Sequence, residues 1–280
     1  MTVLITGARG RIGKTVIDRL HAAGLPVRAA STRPTELTVP AGVATVELAL
    51  DRPETFAPAL AEARQVFLYS NPEGIDDFVE AARAAGVEHV VLLSSSSVLV
   101  PDPETNPLAA QHLRVERALA ASDLTATVLR PGAFDSNAFG WVHPISQGLP
   151  VQLAYPDAHL APIHPEDIAD IAVEALSGTA LKGRTVTLTG GQSLTFREQL
   201  DVLSDVLERD ITVEAIDAAE AERQMTRFMP APVAASLLAV YADACAGPAA
   251  IADTTRTLLG TPERSFRQWV TENAAAFTAC

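Results

Sequence analysis

The first residues able to do chemistry are three glycines near the start of the chain, Gly7-x-x-Gly10-x-x-Gly13. This spacing suits a backbone turn that receives a pyrophosphate: one glycine makes the tight turn, one admits N–H groups close to the anion, and one lets a helix pack against a strand. The helix that follows aims its positive end at the phosphates. A β-branched run precedes the motif and a helical period follows it, so it predicts a dinucleotide site built from Thr6, Gly7, Arg9, Gly10, Arg11, Ile12 and Gly13. The end of the second strand bears on which dinucleotide. A carboxylate there would hold the adenosine ribose of NAD, but the sequence reads Ala30-Ser31-Thr32-Arg33. Arg33, backed by Ser31 and with Arg9 as a second cation, suits a 2′-phosphate. NADP(H) is therefore expected in preference to NAD(H).

Other polar groups fall after strands, at the sheet edge where ligands lie in such folds. Tyr69, Ser70 and Asn71 follow the fourth strand and could contact the cofactor, or could form an ordinary turn initiated by Asn71-Pro72. Four serines, 94 to 97, follow the fifth strand; without Gly-x-Ser-x-Gly they do not encode a nucleophile elbow. Trp141, His143, Tyr155, His159 and His164 lie in a proline-punctuated stretch and could line a substrate cavity. The histidines form no His-x-x-x-His motif and no carboxylate cluster completes one, so no metal site is expected.

These groups must be positioned by regular elements, and the hydrophobic periods supply them. Short β-branched runs at 3–6, 27–31, 45–48, 65–70, 89–94 and 125–129 alternate with helical periods at 53–63, 74–85 and 106–121. In the first helix Ile12, Val16, Ile17 and Leu20 share one face, and Gly24 stops it. Alternation of this kind predicts an α/β fold with a Rossmann doubly wound parallel sheet. A smaller, mainly helical C-terminal substrate-binding portion is expected to follow. The boundary falls near residue 150, giving a cofactor-binding domain over 1–150 and a substrate portion over 151–280, with the chain returning to the sheet near 185–189. Helices are expected at 165–176, 195–209 and 218–229, with a short strand at 211–213 and a packed helix across the apolar run 233–251. Glu166 and Asp167 are read as capping the helix that begins there.

Composition removes whole classes of function. The 280 residues are 48% hydrophobic and 20% charged, typical of a folded globular chain. A formal charge of −13 repels phosphate backbones, so nucleic acid is not an expected partner. The two cysteines, Cys245 and Cys280, write neither a disulfide framework nor a zinc site. No leader-like segment or membrane span is read, and a cytoplasmic monomer or homodimer acting on a small molecule is expected.

The run Thr6-Gly7-Ala8-Arg9-Gly10-Arg11-Ile12-Gly13, together with Leu129-Arg130-Pro131-Gly132-Ala133-Phe134 and Asn137, resembles the NmrA-like branch of the atypical short-chain dehydrogenase/reductases. Segments 166–172, 188–190 and 258–266 are similar to the family's C-terminal half. The resemblance implies NADP(H) in the cofactor domain, with the backbone of Pro131 and Gly132 on the nicotinamide carboxamide and Phe134 shaping the pocket. It also implies a Ser after the fifth strand and a Tyr-x-x-x-Lys pair on the next helix. Ser94 and Ser95 stand at the first place, but Leu108 and His112 stand where Tyr and Lys would be. His112 could touch the cofactor ribose or donate a proton, since imidazole titrates near neutrality; equally, it could be a half-buried histidine with one hydrogen bond. His112, Ser95 and Tyr155 are the catalytic candidates. The expected function is NADPH-dependent hydride transfer to a quinone-like, aromatic or conjugated carbonyl molecule. The rivals are a non-catalytic NADP(H)-sensing regulator and a redox-neutral enzyme on the same fold.

Overall fold

The computed structural model describes residues 2–278, so Cys280 lies outside the described residues. In chain order the first elements are β1 (Thr2–Ile5), α1 (Arg11–Ala22), β2 (Val27–Ser31), β3 (Ala44–Glu47), α2 (Phe56–Leu60), β4 (Ala63–Tyr69) and α3 (Ile75–Ala84). Next come β5 (His89–Leu93), α4 (Pro107–Ala120), β6 (Thr125–Pro131), α5 (Val142–Ser146), β7 (Val151–Leu153), β8 (His159–Leu160) and α6 (Pro165–Ser177). The chain continues through β9 (Thr185–Leu188), β10 (Leu194–Thr195), α7 (Phe196–Leu207), β11 (Val213–Ala215), α8 (Ala218–Met225), α9 (Ala231–Asp243), α10 (Thr254–Leu259) and α11 (Phe266–Thr278).

Seven strands form the main sheet in the order β3-β2-β1-β4-β5-β6-β9. The pairs from β3 across to β6 are parallel, with Val3 opposite Val27 on one side and Gln65 on the other. This is the Rossmann sheet that the alternating periods predict. All five β5 residues are buried, as expected for a central strand covered on both faces. Leu4, Leu68 and Leu92 pack with Phe56 and Phe78, whose rings meet edge-on at 5.5 Å.

The helices form where apolar spacing gives them a face to bury. In α1, Ile12, Val16, Ile17 and Leu20 are buried, and Gly24 follows the helix at φ +76°. Glu166, expected as a cap on α6, also reaches α1: its carboxylate accepts from Thr15 Oγ1 at 3.1 Å and pairs with Arg19. Asp170 holds the same guanidinium at 2.7 Å.

The expectation of one break at residue 150 differs from the chain's own division. One compact unit comprises residues 1–105, 109–131 and 165–187; the other comprises 106–108, 132–164 and 188–280. The physical reason is that α6 packs on α1 and β9 joins the sheet edge, which returns residues 165–187 to the first unit. The second unit has its own aromatic core, in which Phe139 meets Trp269 at 4.8 Å and Trp269 stacks on Phe266. Its α7 begins with a capping box in which Thr195 and Glu198 satisfy each other's backbone N–H. The short strand expected at 211–213 is shifted to Val213–Ala215, where it pairs with β7. The apolar run 233–251 is α-helical to Asp243 and then forms a short 3₁₀ helix over Ala244–Ala246.

One buried group makes stability depend on pH. His89 is 2% exposed beside Thr127 Oγ1, and burial, helped by the charge of Lys182, lowers its pKa from 6.5 to about 4. The folded state therefore keeps it neutral while the unfolded chain protonates it. Stability is complete above pH 6.5 and falls as pH drops toward 4, by about 3 kcal/mol from this group alone. Urea unfolding at pH 7 and pH 4 should show that loss, and His89→Gln should flatten it.

Candidate functional site

The glycine turn joins β1 to α1, and each glycine has a separate steric reason. Gly7 sits at φ +64°, and a Cβ there would come within 3.0 Å of Tyr69 Cβ. Gly10 N–H donates to Gly7 O at 2.9 Å, closing the turn. A Cβ on Gly13 would lie 2.5 Å from Gly7 O, so only glycine lets the first helical turn approach this closely. Thr6 fixes the turn to the neighbouring strand: its N–H donates to Phe67 O at 2.9 Å and its hydroxyl accepts from Tyr69 N–H at 2.7 Å.

Beside the turn is a cleft of about 390 Å³. Thr6, Gly7, Arg9, Gly10, Ser31, Tyr69 and Asn71, all expected as cofactor contacts, line it. Arg11, Ile12 and Gly13 begin α1 behind the turn instead, with Ile12 and Gly13 buried. Leu48, Ala49 and Leu50 also line the cleft, and reasoning from polar residues missed them. Their signal was positional, an apolar run directly after the third strand. An apolar floor of this kind can accept the flat face of a purine.

Arg33 does not line the cleft. Its guanidinium turns to Glu36 at 3.1 Å, and Arg9 lies 3.8 Å from the same carboxylate. Glu36 thus neutralises both cations expected to meet a 2′-phosphate. Ser31 is buried and its hydroxyl accepts from Arg33 N–H at 3.1 Å, shaping the turn after β2. Asn71 Oδ1 accepts from Glu73 N–H at 3.1 Å, the turn geometry weighed for Asn-Pro, while Tyr69 stands 58% exposed at the cleft. Ser70 is half-buried and does not line it.

The serine run divides by role. Ser94 is buried and donates to Glu116 Oε1 at 2.6 Å; Glu116 in turn accepts from Arg130 Nε at 3.0 Å. That triad ties β5, α4 and β6 together, so Ser94's only donor hydrogen belongs to the scaffold. Ser95 begins a short 3₁₀ turn, its hydroxyl accepting from Ser97 N–H at 3.1 Å. His112, on α4, is half-buried, and its buried Nδ1 has no partner among the described residues; Ser97 Oγ is in the same condition. Burial lowers the His112 pKa against a smaller opposing pull from Glu116, so the ring is neutral at pH 7.

In the second unit, Gly132 N–H donates to Leu188 O at 2.9 Å and Phe134 bridges to Ile163. Pro131 ends β6 in the first unit and is buried. Phe134, Trp141 and Tyr155 line a cavity of about 490 Å³ that Tyr241 also enters. Tyr241, remote in sequence and inside an apolar helix, gave no signal as a site residue. The three histidines expected near it do not line this cavity. His143 is exposed, His159 faces Ser193 at 3.5 Å, and His164 is buried against Glu272 at 3.1 Å. Among the described residues no cluster of three or more His, Cys, Asp or Glu side chains could hold a metal, and no helix is long and apolar enough to cross a membrane.

The pattern of the NAD(P)H-binding family matches residues 7–179, more than half of the chain. A curated relative, the (4-alkanoyl-5-oxo-2,5-dihydrofuran-3-yl)methyl phosphate reductase of Streptomyces griseus, is 37% identical over 280 residues, covering 98% of this chain and 99% of the relative. An NAD(P)H azoreductase of Xenophilus azovorans is 28% identical over 99% of both. The fold is shared with the NADP(H) complex of Citrobacter sp. triphenylmethane reductase, at TM-score 0.82 and 21% identity over 97% of this chain and 99% of that one. It is shared equally with an NADPH-dependent quinone oxidoreductase of Escherichia coli, at TM-score 0.83 and 21% identity over 96% and 98%. The chain therefore belongs to the NAD(P)H-binding family.

The steric reading of the turn is directly testable. Gly13→Ala should keep the fold but displace α1 from Gly7, weakening NADPH binding by at least about tenfold in a fluorescence titration. Unchanged affinity would mean that the turn does not hold the nucleotide.

Proposed function

We propose that the protein is an NADPH-dependent reductase that passes a hydride to a conjugated, carbonyl-bearing small molecule. The observation that carries this reading is the turn at Gly7. Its backbone is open beside a cleft with an apolar floor, and α1 starts against it at a distance only glycine permits. These residues fit a dinucleotide: the turn and the helix end suit the pyrophosphate, and Leu48 to Leu50 suit the adenine. When bound, a reduced nicotinamide supplies hydride.

What the chain itself supplies is mostly position and exclusion of water. Leu108 and His112 occupy the places of the family's Tyr and Lys, so no phenol on α4 donates a proton. A neutral His112 with an unsatisfied buried Nδ1 is suited to one hydrogen bond to a ligand rather than to strong acid catalysis. Electron-poor acceptors suit such a site, because their reduced oxygens take protons from water or from a modest donor. The relatives support the class, since they are named for reducing an alkanoyl oxo-dihydrofuran phosphate and, as an azoreductase, an azo compound. A panel of quinones, azo dyes and acyl butenolides should oxidise NADPH steadily. Tight NADPH binding without turnover on any of them would favour the sensor instead.

The preference for NADP(H) rests on Arg33 and Arg9, with Glu36 as their present counter-ion. A 2′-phosphate must displace that carboxylate. Arg33→Ala should weaken NADPH by about tenfold and leave NADH unchanged, since a charge-assisted bond to phosphate is removed. Glu36→Gln should tighten NADPH. Equal losses for the two nucleotides in Arg33→Ala would count against the assignment.

A further inference from the structure

The cavity of the second unit is walled by rings that hold one another in place. Trp141 meets Phe196 edge-on at 5.8 Å, and Phe196 meets Tyr241 edge-on at 4.9 Å. Edge-to-face contacts of this kind orient each ring by its neighbour's quadrupole, which leaves the Tyr241 ring little freedom. Tyr241 lines the cavity from α9, and its hydroxyl makes no hydrogen bond among the described residues. Burial pushes its pKa up to about 12, so the group remains an O–H donor through neutral and mildly alkaline pH. Across the cavity wall, Gln199 is 4% exposed, and its amide nitrogen makes only a long bond to Leu194 O at 3.4 Å. Tyr241 and Gln199 thus join Asn137, Gln152, Tyr155 and Gln224 as uncharged polar groups in a largely apolar lining.

The lining carries no charge of either sign: no Arg, Lys, His, Asp or Glu contributes to it among the described residues. The charges in the hydrogen-bond network behind the lining are Glu214 and Glu220, the latter paired with Arg223. Gln152 donates to Glu214 at 2.7 Å, and Gln224 donates to Glu220 at 2.9 Å and to Gln152 Oε1 at 2.8 Å. An anion entering here would give up its hydration without meeting a cation, at a cost far above that of a neutral polar group. Behind the lining glutamines Glu220 is paired with Arg223, which leaves Glu214 to add repulsion.

Resting on the reductase reading above, we propose that this cavity takes an uncharged, largely apolar substrate and that Tyr241 donates its O–H to the substrate's carbonyl oxygen. A phosphorylated form of the same molecule is excluded. The chain would then differ in substrate charge from its Streptomyces griseus relative, whose name specifies a phosphate ester. Tyr241 is a group that touches substrate, and its contact is a hydrogen bond with no proton transferred.

The test is equilibrium binding, read by quenching of Trp141 fluorescence in the full chain with and without NADP⁺. Three ligands are compared: an alkanoyl butenolide bearing a free hydroxymethyl group, its phosphate ester, and a cyclopentene analogue lacking both carbonyls. The alcohol should bind at least about tenfold tighter than the phosphate. Tyr241→Phe should weaken the alcohol by about tenfold and leave the carbonyl-free analogue unchanged, since the ring packing is kept and only a donor is lost. Equal or tighter binding of the phosphate, no binding of the alcohol, or equal losses for both uncharged ligands in Tyr241→Phe would overturn the proposal. Binding as expected with NADPH left unoxidised would overturn only the reductase reading.

Discussion

The contact that the rest of the cofactor unit depends on is the approach of α1 to the carbonyl of Gly7. At Gly13 there is no room for a single methyl group, so the start of the helix is fixed against the end of β1. Two consequences follow from that one steric fact. The free N–H groups of the helix start are directed at a small volume beside the turn, and the buried face of α1 is carried onto the sheet in a single register. Thr6 extends the constraint sideways by bonding both Phe67 and Tyr69, so the mouth of the cleft inherits its shape from the backbone rather than from mobile side chains.

Around this frame, charged groups are committed in pairs before any ligand arrives. Arg19 bridges Glu166 and Asp170, Arg130 holds Glu116, and Glu36 faces both Arg9 and Arg33. The first fastens α6 to α1, and the second fastens α4 to β6. The third is exposed, so its attraction is screened and exchangeable. In a chain of net charge −13, cations left without a counter-ion would be hard to keep.

The second unit works by a different principle. Its cavity is shaped by ring packing and lined by carboxamides and phenols, groups that recognise through directed hydrogen bonds and reject charge through desolvation. Gln152 and Gln224 hold each other as well as glutamates, so their orientation is set by a network.

The sequence by itself determined the elements and the turn. Strand and helix periods are local, so the first six strands, α1 with its stop at Gly24, and the glycine spacing were all legible from neighbours within a few residues. Only the tertiary structure decided which polar groups were left over for a ligand. Ser94 looked available until Glu116 closed on it, and His164 until Glu272 did, whereas Arg33 meets Glu36 only three residues on. Leu48 to Leu50 and Tyr241 became site residues only when folding set them against a cleft and a cavity. The division of the chain followed the same logic, because residues 165–187 rejoin the first unit through contacts with α1 and the sheet edge. A pairing between residues tens to more than a hundred positions apart leaves no periodic trace in the chain, whereas a turn or a helix face does.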